Sequence, residues 1–233
     1  VIKGIAFNLE GTVVNLEQAH HGAHLKVCRE VGLNFTLEEA IVAIPHFIGG
    51  PHKTIAQEIY DLGDKTQSVE WVSQRDSEYY EELLKTMPIE PRPGFSTVLF
   101  RLQDSLLQIK TSIGSLTTDE KAHFILDRSG LSKSFDPKNV VLQSHVKNLK
   151  PAPDVFLETA RRMGVAPNEQ LVFEDSPRGV QAAIAAGSRA IGMPVYKNRV
   201  VIMQLLDAGA ERVFMDWREM KALDLIQNLN AEE

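Results

Sequence analysis

Short β-type runs, "IKGIAFN", "LLQIKTS", "NVVLQS", "QLVFED", "RAIGM" and "RVFMD", recur along the chain, and stretches with helical spacing separate most of them. Strands alternating with helices pair through crossovers rather than hairpins, so the pattern predicts an α/β fold with a parallel sheet covered by helices on both faces. Helix ends are marked. Thr117 with Glu120 reads as a capping box before "KAHFILDRSG", Gly130 suits the left-handed position after that helix, and Gly187 closes "RGVQAAIAAG".

The alternation is interrupted once. Residues 16–88 hold no strand pattern but carry amphipathic helical segments, "LEQAHHGAHLKVCREVG", "TLEEAIVAI" with a Thr36/Glu39 capping box, and "SVEWVSQRDSEYYEELLKTM". A helical domain inserted after the first strand is expected, with 1–15 and 89–233 forming the α/β core and Pro91-Arg92-Pro93-Gly94 as the return hinge. Net charge of -6 without runs of one sign argues against nucleic acid or an anionic membrane as main partner. The single cysteine, Cys28, is expected to be a buried apolar residue, and the lack of a basic-then-apolar leader makes a reducing cytoplasmic setting the expectation.

In an open parallel sheet, ligands bind beyond the carboxyl ends of the strands. Asn8 and Glu10 follow the first strand run, Thr111-Ser112 the second, and Glu174-Asp175 the fourth, so one polar rim is expected, with the helical insertion as its lid. Adjacent carboxylates at a strand end repel unless a cation compensates them, and Mg²⁺ suits such an oxygen-rich site; Asp175 or Ser176 serving only as a helix cap is the plainer alternative. Lys150 opens the stiff turn "KPAPD", where its ammonium is a point charge for a phosphate or for Glu174. Hydroxyls and free N–H groups near Thr111 and Ser112 can bind phosphate oxygens, although such residues are also common in turns.

In this order, "FNLEGTVV", "KTS", "KPAPD" and "VFEDSPRGV" resemble the four motifs of the haloacid dehalogenase superfamily, in particular its phosphatase and β-phosphoglucomutase-like branch. The resemblance implies a Rossmann-like core with a helical cap and a small phosphorylated metabolite as substrate. It also implies Mg²⁺ near Asn8, Glu10, Glu174 and Asp175, phosphate contacts from Thr111, Ser112 and Lys150, and an aspartyl-phosphate intermediate. In that scheme the first aspartate attacks phosphorus and the second is the acid/base.

The chain departs from this pattern at both aspartates. Asn8 stands at the nucleophile position and lacks the anionic oxygen that attacks. Glu10 stands at the acid/base position and carries its carboxylate about 1 Å further out, a misplacement worth about 10²-fold in rate. Asn8 is thus either a replaced nucleophile in a working phosphatase or the native residue of a phosphometabolite-binding pseudoenzyme. A mutase reading stays open, whereas a metal-free dehalogenase is disfavoured by the retained acids of "VFEDS".

The insertion adds further candidates. His52 and Lys53 follow Gly49-Gly50-Pro51 in a segment that resembles the branch's substrate-specificity loop. Relatives cleaving phosphonoacetaldehyde carry a Schiff-base lysine in about this region, which makes Lys53 a candidate for the same chemistry; they have a small residue where Glu10 stands. His20 resembles a histidine just after the hinge in the phosphoglucomutase-like relatives.

Overall fold

The computed structural model describes residues 1–106 and 108–231. They divide into two compact units, Val1–Asn15 with Ile89–Glu233, and Leu16–Pro88. The larger unit contains a six-stranded sheet in the order β3-β2-β1-β4-β5-β6. Its strands are β1 (Gly4–Phe7), β2 (Lys110–Gly114), β3 (Val140–Val141), β4 (Gln170–Glu174), β5 (Arg189–Gly192) and β6 (Arg212–Val213), and every neighbouring pair is parallel. The helices of the smaller unit are α1 (Glu17–Glu30), α2 (Leu37–Ala43), α3 (His52–Leu62) and α4 (Val69–Thr86); those of the larger are α5 (Phe95–Gln103), α6 (Asp119–Arg128), α7 (Asp154–Met163), α8 (Pro177–Ala185), α9 (Arg199–Asp207) and α10 (Ala222–Ala231). The α/β, Rossmann-like reading holds.

The chain runs outward from β1 through β2 to β3 and then returns to place β4 on the other side of β1. That reversal puts a crevice at the carboxyl ends of β1 and β4. Both strands are wholly buried, as expected for a sheet covered on two faces. Phe7 stacks on Phe173 at 5.5 Å between ring centroids and meets Phe95 edge-on at 5.3 Å. Trp217 packs within 5.7 Å of Phe7, and its indole N–H donates to the Thr12 carbonyl at 3.0 Å. The aromatic core therefore grips the loop that follows β1.

Arg92 holds the same loop from the opposite side. Its buried guanidinium donates to the carbonyls of Gly11, Met193, Pro194 and Met215 at 2.6–3.0 Å, tying together the segments after β1, β5 and β6. Burial lowers the pKa of this guanidinium, and the charges of Asp175 and Asp216 oppose that shift. A residue expected only at a hinge thus braces the rim.

Two local expectations change. β2 does not end at Thr111-Ser112: Thr111 lies opposite Ile5 and Ser112 opposite Ala6, and pairing continues through Ile113 and Gly114. A Cβ at Gly114 would lie 3.0 Å from Thr159 and 3.1 Å from Phe156, so its glycine lets α7 approach the strand and does not mark a turn. Thr118, not Thr117, occupies the N-cap of α6. The Thr36/Glu39 box on α2 is formed in full, and Gly130 and Gly187 adopt positive φ.

Within the smaller unit, α1 and α3 both pack on α4. Asp76 of α4 is buried and accepts from His24 Nδ1 at 2.6 Å and His52 Nε2 at 2.8 Å. Desolvation alone would raise its pKa, but the bonds to the two histidines outweigh it and bring the carboxyl down to about 2. Burial, with His24 and His20 nearby, holds His21 well below the usual histidine range. Cys28 is buried, which pushes its thiol up to about 12 and leaves it unreactive.

Candidate active site

Asn8 stands one residue beyond β1, its backbone N–H still donating to Phe173 of β4 at 3.0 Å. Its side-chain nitrogen donates to the Glu10 carbonyl at 2.7 Å and to Asp175 Oδ1 at 2.8 Å; its oxygen accepts from Lys150 Nζ at 3.0 Å. The neighbours fix this orientation, because an ammonium only donates and a carbonyl or carboxylate only accepts. Thr12 Oγ1 adds a second bond to Asp175 Oδ1 at 2.9 Å. Gly11 turns the intervening loop with φ +83°, a conformation that costs a glycine little.

Lys150 is buried, and its three donors are all engaged. Besides Asn8 it reaches Glu174 Oε1 at 2.5 Å and the Gly114 carbonyl at 3.2 Å, while its ammonium lies 5.0 Å from the Phe156 ring. Arg178 donates to the Lys150 carbonyl, and Asp154 accepts from Asn148 N at 2.8 Å, which fixes both flanks of the turn. Glu174 Oε2 accepts from the Ser176 N–H at 3.2 Å and hydroxyl at 3.1 Å. A Cβ at position 179 would fall 1.9–2.2 Å from the Glu174 carboxyl, so Gly179 is what admits that group beneath the start of α8.

The second motif lies further along than expected. Thr111 accepts from Gln103 at 3.1 Å and the Ser112 hydroxyl donates to the Asn139 carbonyl, so both are buried within the sheet, away from the rim. Ser115 and Thr117 occupy the rim instead. Thr117 Oγ1 donates to Glu10 Oε1 at 2.6 Å and lies 2.7 Å from Ser115 Oγ. The hydroxyl that sequence assigned to a helix cap thus holds the longer carboxylate at position 10.

A haloacid dehalogenase-like hydrolase family model matches residues 5–193. The chain belongs to that family. Fructose-1-phosphate phosphatase YqaB of Escherichia coli K12 is 33% identical over 188 residues, covering 81% of this chain and 94% of that protein. A phosphorylated carbohydrates phosphatase of Thermotoga maritima is 29% identical over 212 residues, covering 90% of this chain and 92% of that protein. A conserved haloacid dehalogenase-like protein of unknown function from Agrobacterium tumefaciens str. C58 superposes with a TM-score of 0.84 at 24% identity, covering 99% of this chain and 100% of that one. Among the haloacid dehalogenase-like hydrolases, the similarities point to the phosphatase and β-phosphoglucomutase-like branch.

The Mg²⁺ ligand set expected for this family does not fit the residues present. A divalent cation needs oxygens turned towards one point, yet the Glu10 carbonyl and Asp175 Oδ1 face the nitrogen of Asn8, and its oxygen is turned to Lys150. Glu174 is committed through one oxygen to Lys150 and through the other to Ser176. Inverting the amide would offer an oxygen to a cation but set its NH₂ against the ammonium. A carboxylate serves both sides; a carboxamide serves one.

The candidates in the helical unit have engagements of their own. His52 is bonded to Asp76 and lies 3.2 Å through Nδ1 from Ser73 Oγ, so its ring is held within that unit. His20 stacks on the buried Tyr80 at 3.8 Å, and Lys53 is exposed on the first turn of α3. Among the described residues, no helix is long and apolar enough to cross a membrane.

Proposed function

We propose that the crevice at the ends of β1 and β4 binds the phosphate group of a small phosphorylated carbohydrate, and that the chain with asparagine at position 8 stops at binding. The observation that carries this reading is the engagement of Asn8: its oxygen is neutral and bonded to Lys150, and its nitrogen is an amide donor, so neither atom attacks phosphorus. The positive charge that attracts an anion persists in the Lys150 ammonium, which a phosphate would reach by replacing one of its three present partners. The sugar-phosphate substrates named for the two phosphatase relatives support the ligand class.

Glu10 supports a second part of the reading. Thr117 holds its carboxylate in one orientation, which compensates for the flexibility of the added methylene and leaves an acid/base group at the rim. With an aspartate at position 8, the same chain has both groups that phosphate-ester cleavage requires. The test is release of inorganic phosphate from a panel of sugar phosphates in the presence of Mg²⁺, with the chain as encoded and with Asn8→Asp. The expected outcome is no turnover by the encoded chain and measurable turnover by Asn8→Asp. Turnover by the encoded chain, abolished by Lys150→Met, would show that this site cleaves without a carboxylate at position 8.

A further inference from the structure

We infer that the two carboxamide hydrogens of Asn8 take over the bridging role of the divalent cation, so that the folded site of this chain is complete without a metal. The inference rests on the rim being the family's phosphate site only in that this defines where a cation would lie. Its physical basis is separate. Two hydrogens of one NH₂ group meet two acceptors, the Glu10 carbonyl at 2.7 Å and Asp175 Oδ1 at 2.8 Å, leaving neither oxygen in need of a cation.

The surrounding charges are also compensated. Asp175 receives the Thr12 hydroxyl and feels the positive charge of Arg92 behind the loop. Glu174 has the Lys150 ammonium on one oxygen and the N–H and hydroxyl of Ser176 on the other. An aspartate at position 8 would reverse this balance. Its second oxygen would stand where the nitrogen now lies, within hydrogen-bond distance of two other oxygens and with no proton between them. Three converging oxygens would then demand a cation.

The encoded chain is therefore expected to be indifferent to Mg²⁺, while Asn8→Asp becomes dependent on it. The first measurement titrates Mn²⁺ against the full chain and follows the electron paramagnetic resonance signal of the free ion. No uptake, or uptake that Asp175→Asn leaves unchanged and so lies elsewhere, supports the inference. A full equivalent bound by the encoded chain and lost in Asp175→Asn overturns it, and this arm does not depend on the position-8 variant folding.

The second measurement is thermal unfolding in EDTA and in millimolar Mg²⁺. The encoded chain should show the same midpoint in both, whereas Asn8→Asp should gain about 5–10 °C from Mg²⁺ at saturations near 100 times Kd. A folded Asn8→Asp variant that neither binds Mn²⁺ nor responds to Mg²⁺ also overturns the inference. A variant that gains the metal yet releases no phosphate would leave the inference standing and refute the proposed function.

Discussion

Replacing Lys150 by methionine probes the centre of the site. Methionine preserves the length and apolar stem of the side chain, so it can still lie along Phe156, but it removes the three bonds to Asn8, Glu174 and Gly114. Glu174 has no exposed surface, and only Ser176 would remain to compensate its charge. Removing one member of a buried ion pair costs about 3–5 kcal/mol, against about 0–1 kcal/mol for an exposed pair such as Arg161–Glu158. For a unit of this size that corresponds to a fall in Tm of roughly 10 °C, at about 2–4 °C per kcal/mol.

The two tryptophans make the measurement specific. Trp217 is buried in the larger unit, whereas Trp71 lies on α4 of the helical unit, so in a Trp71→Phe background fluorescence follows the larger unit alone. Urea unfolding of the parent, Lys150→Met, Glu174→Gln and the double variant completes the cycle. The double variant should recover more than half of the loss, because Glu174→Gln removes the charge that Lys150→Met strands. A loss below 1 kcal/mol for Lys150→Met, or no recovery in the double variant, would refute the reasoning that Lys150 compensates a buried Glu174 carboxylate.

Two further outcomes follow from the geometry. Gly179→Ala places a methyl group within 1.9–2.2 Å of the Glu174 carboxyl, so it should destabilise the larger unit by at least the 1–3 kcal/mol typical of overpacking, about the same in EDTA as in Mg²⁺; wild-type stability by the same fluorescence assay would contradict it. Asp76 titrates at about 2 in the folded helical unit against 3.8 for the free side chain, so its stabilisation is complete above pH ~4 and is lost as pH falls towards 2, about 2.5 kcal/mol at 1.36 kcal/mol per pH unit. Hydrogen exchange of α1 and α4 peptides should show this acid-induced loosening in the parent and its absence in Asp76→Asn, whose protection should already be low at neutral pH.

Much of the molecule was legible because its signals are local. Each of the β-type runs became a strand of a parallel sheet, and the Thr36/Glu39 box became a complete cap, since a capping box is closed by residues three apart and needs no partner from elsewhere. Asn8 could be placed at the end of β1 from the sequence alone. Lys150, Glu174 and Asp175 were likewise legible as the polar end of a crossover fold, and they meet at one crevice. Ser115, Thr12 and Arg92 were not, because a hydroxyl in a turn or an arginine between prolines has the same sequence signal whether it builds a site or faces water.

What the chain could not settle locally was where pairing stops and which way a symmetric-looking group turns. The end of β2 is set by β1, β3 and the approach of α7 to Gly114, contacts with segments far away in the chain. That tertiary register moved the rim from Thr111 to Ser115 and diverted Thr117 from a helix cap to Glu10. The direction of the Asn8 amide is fixed only once Lys150, Glu10 and Asp175 surround it, because donors and acceptors from three separate segments must be satisfied together. Sequence thus determined which groups are present, and tertiary packing decided which of them face one another.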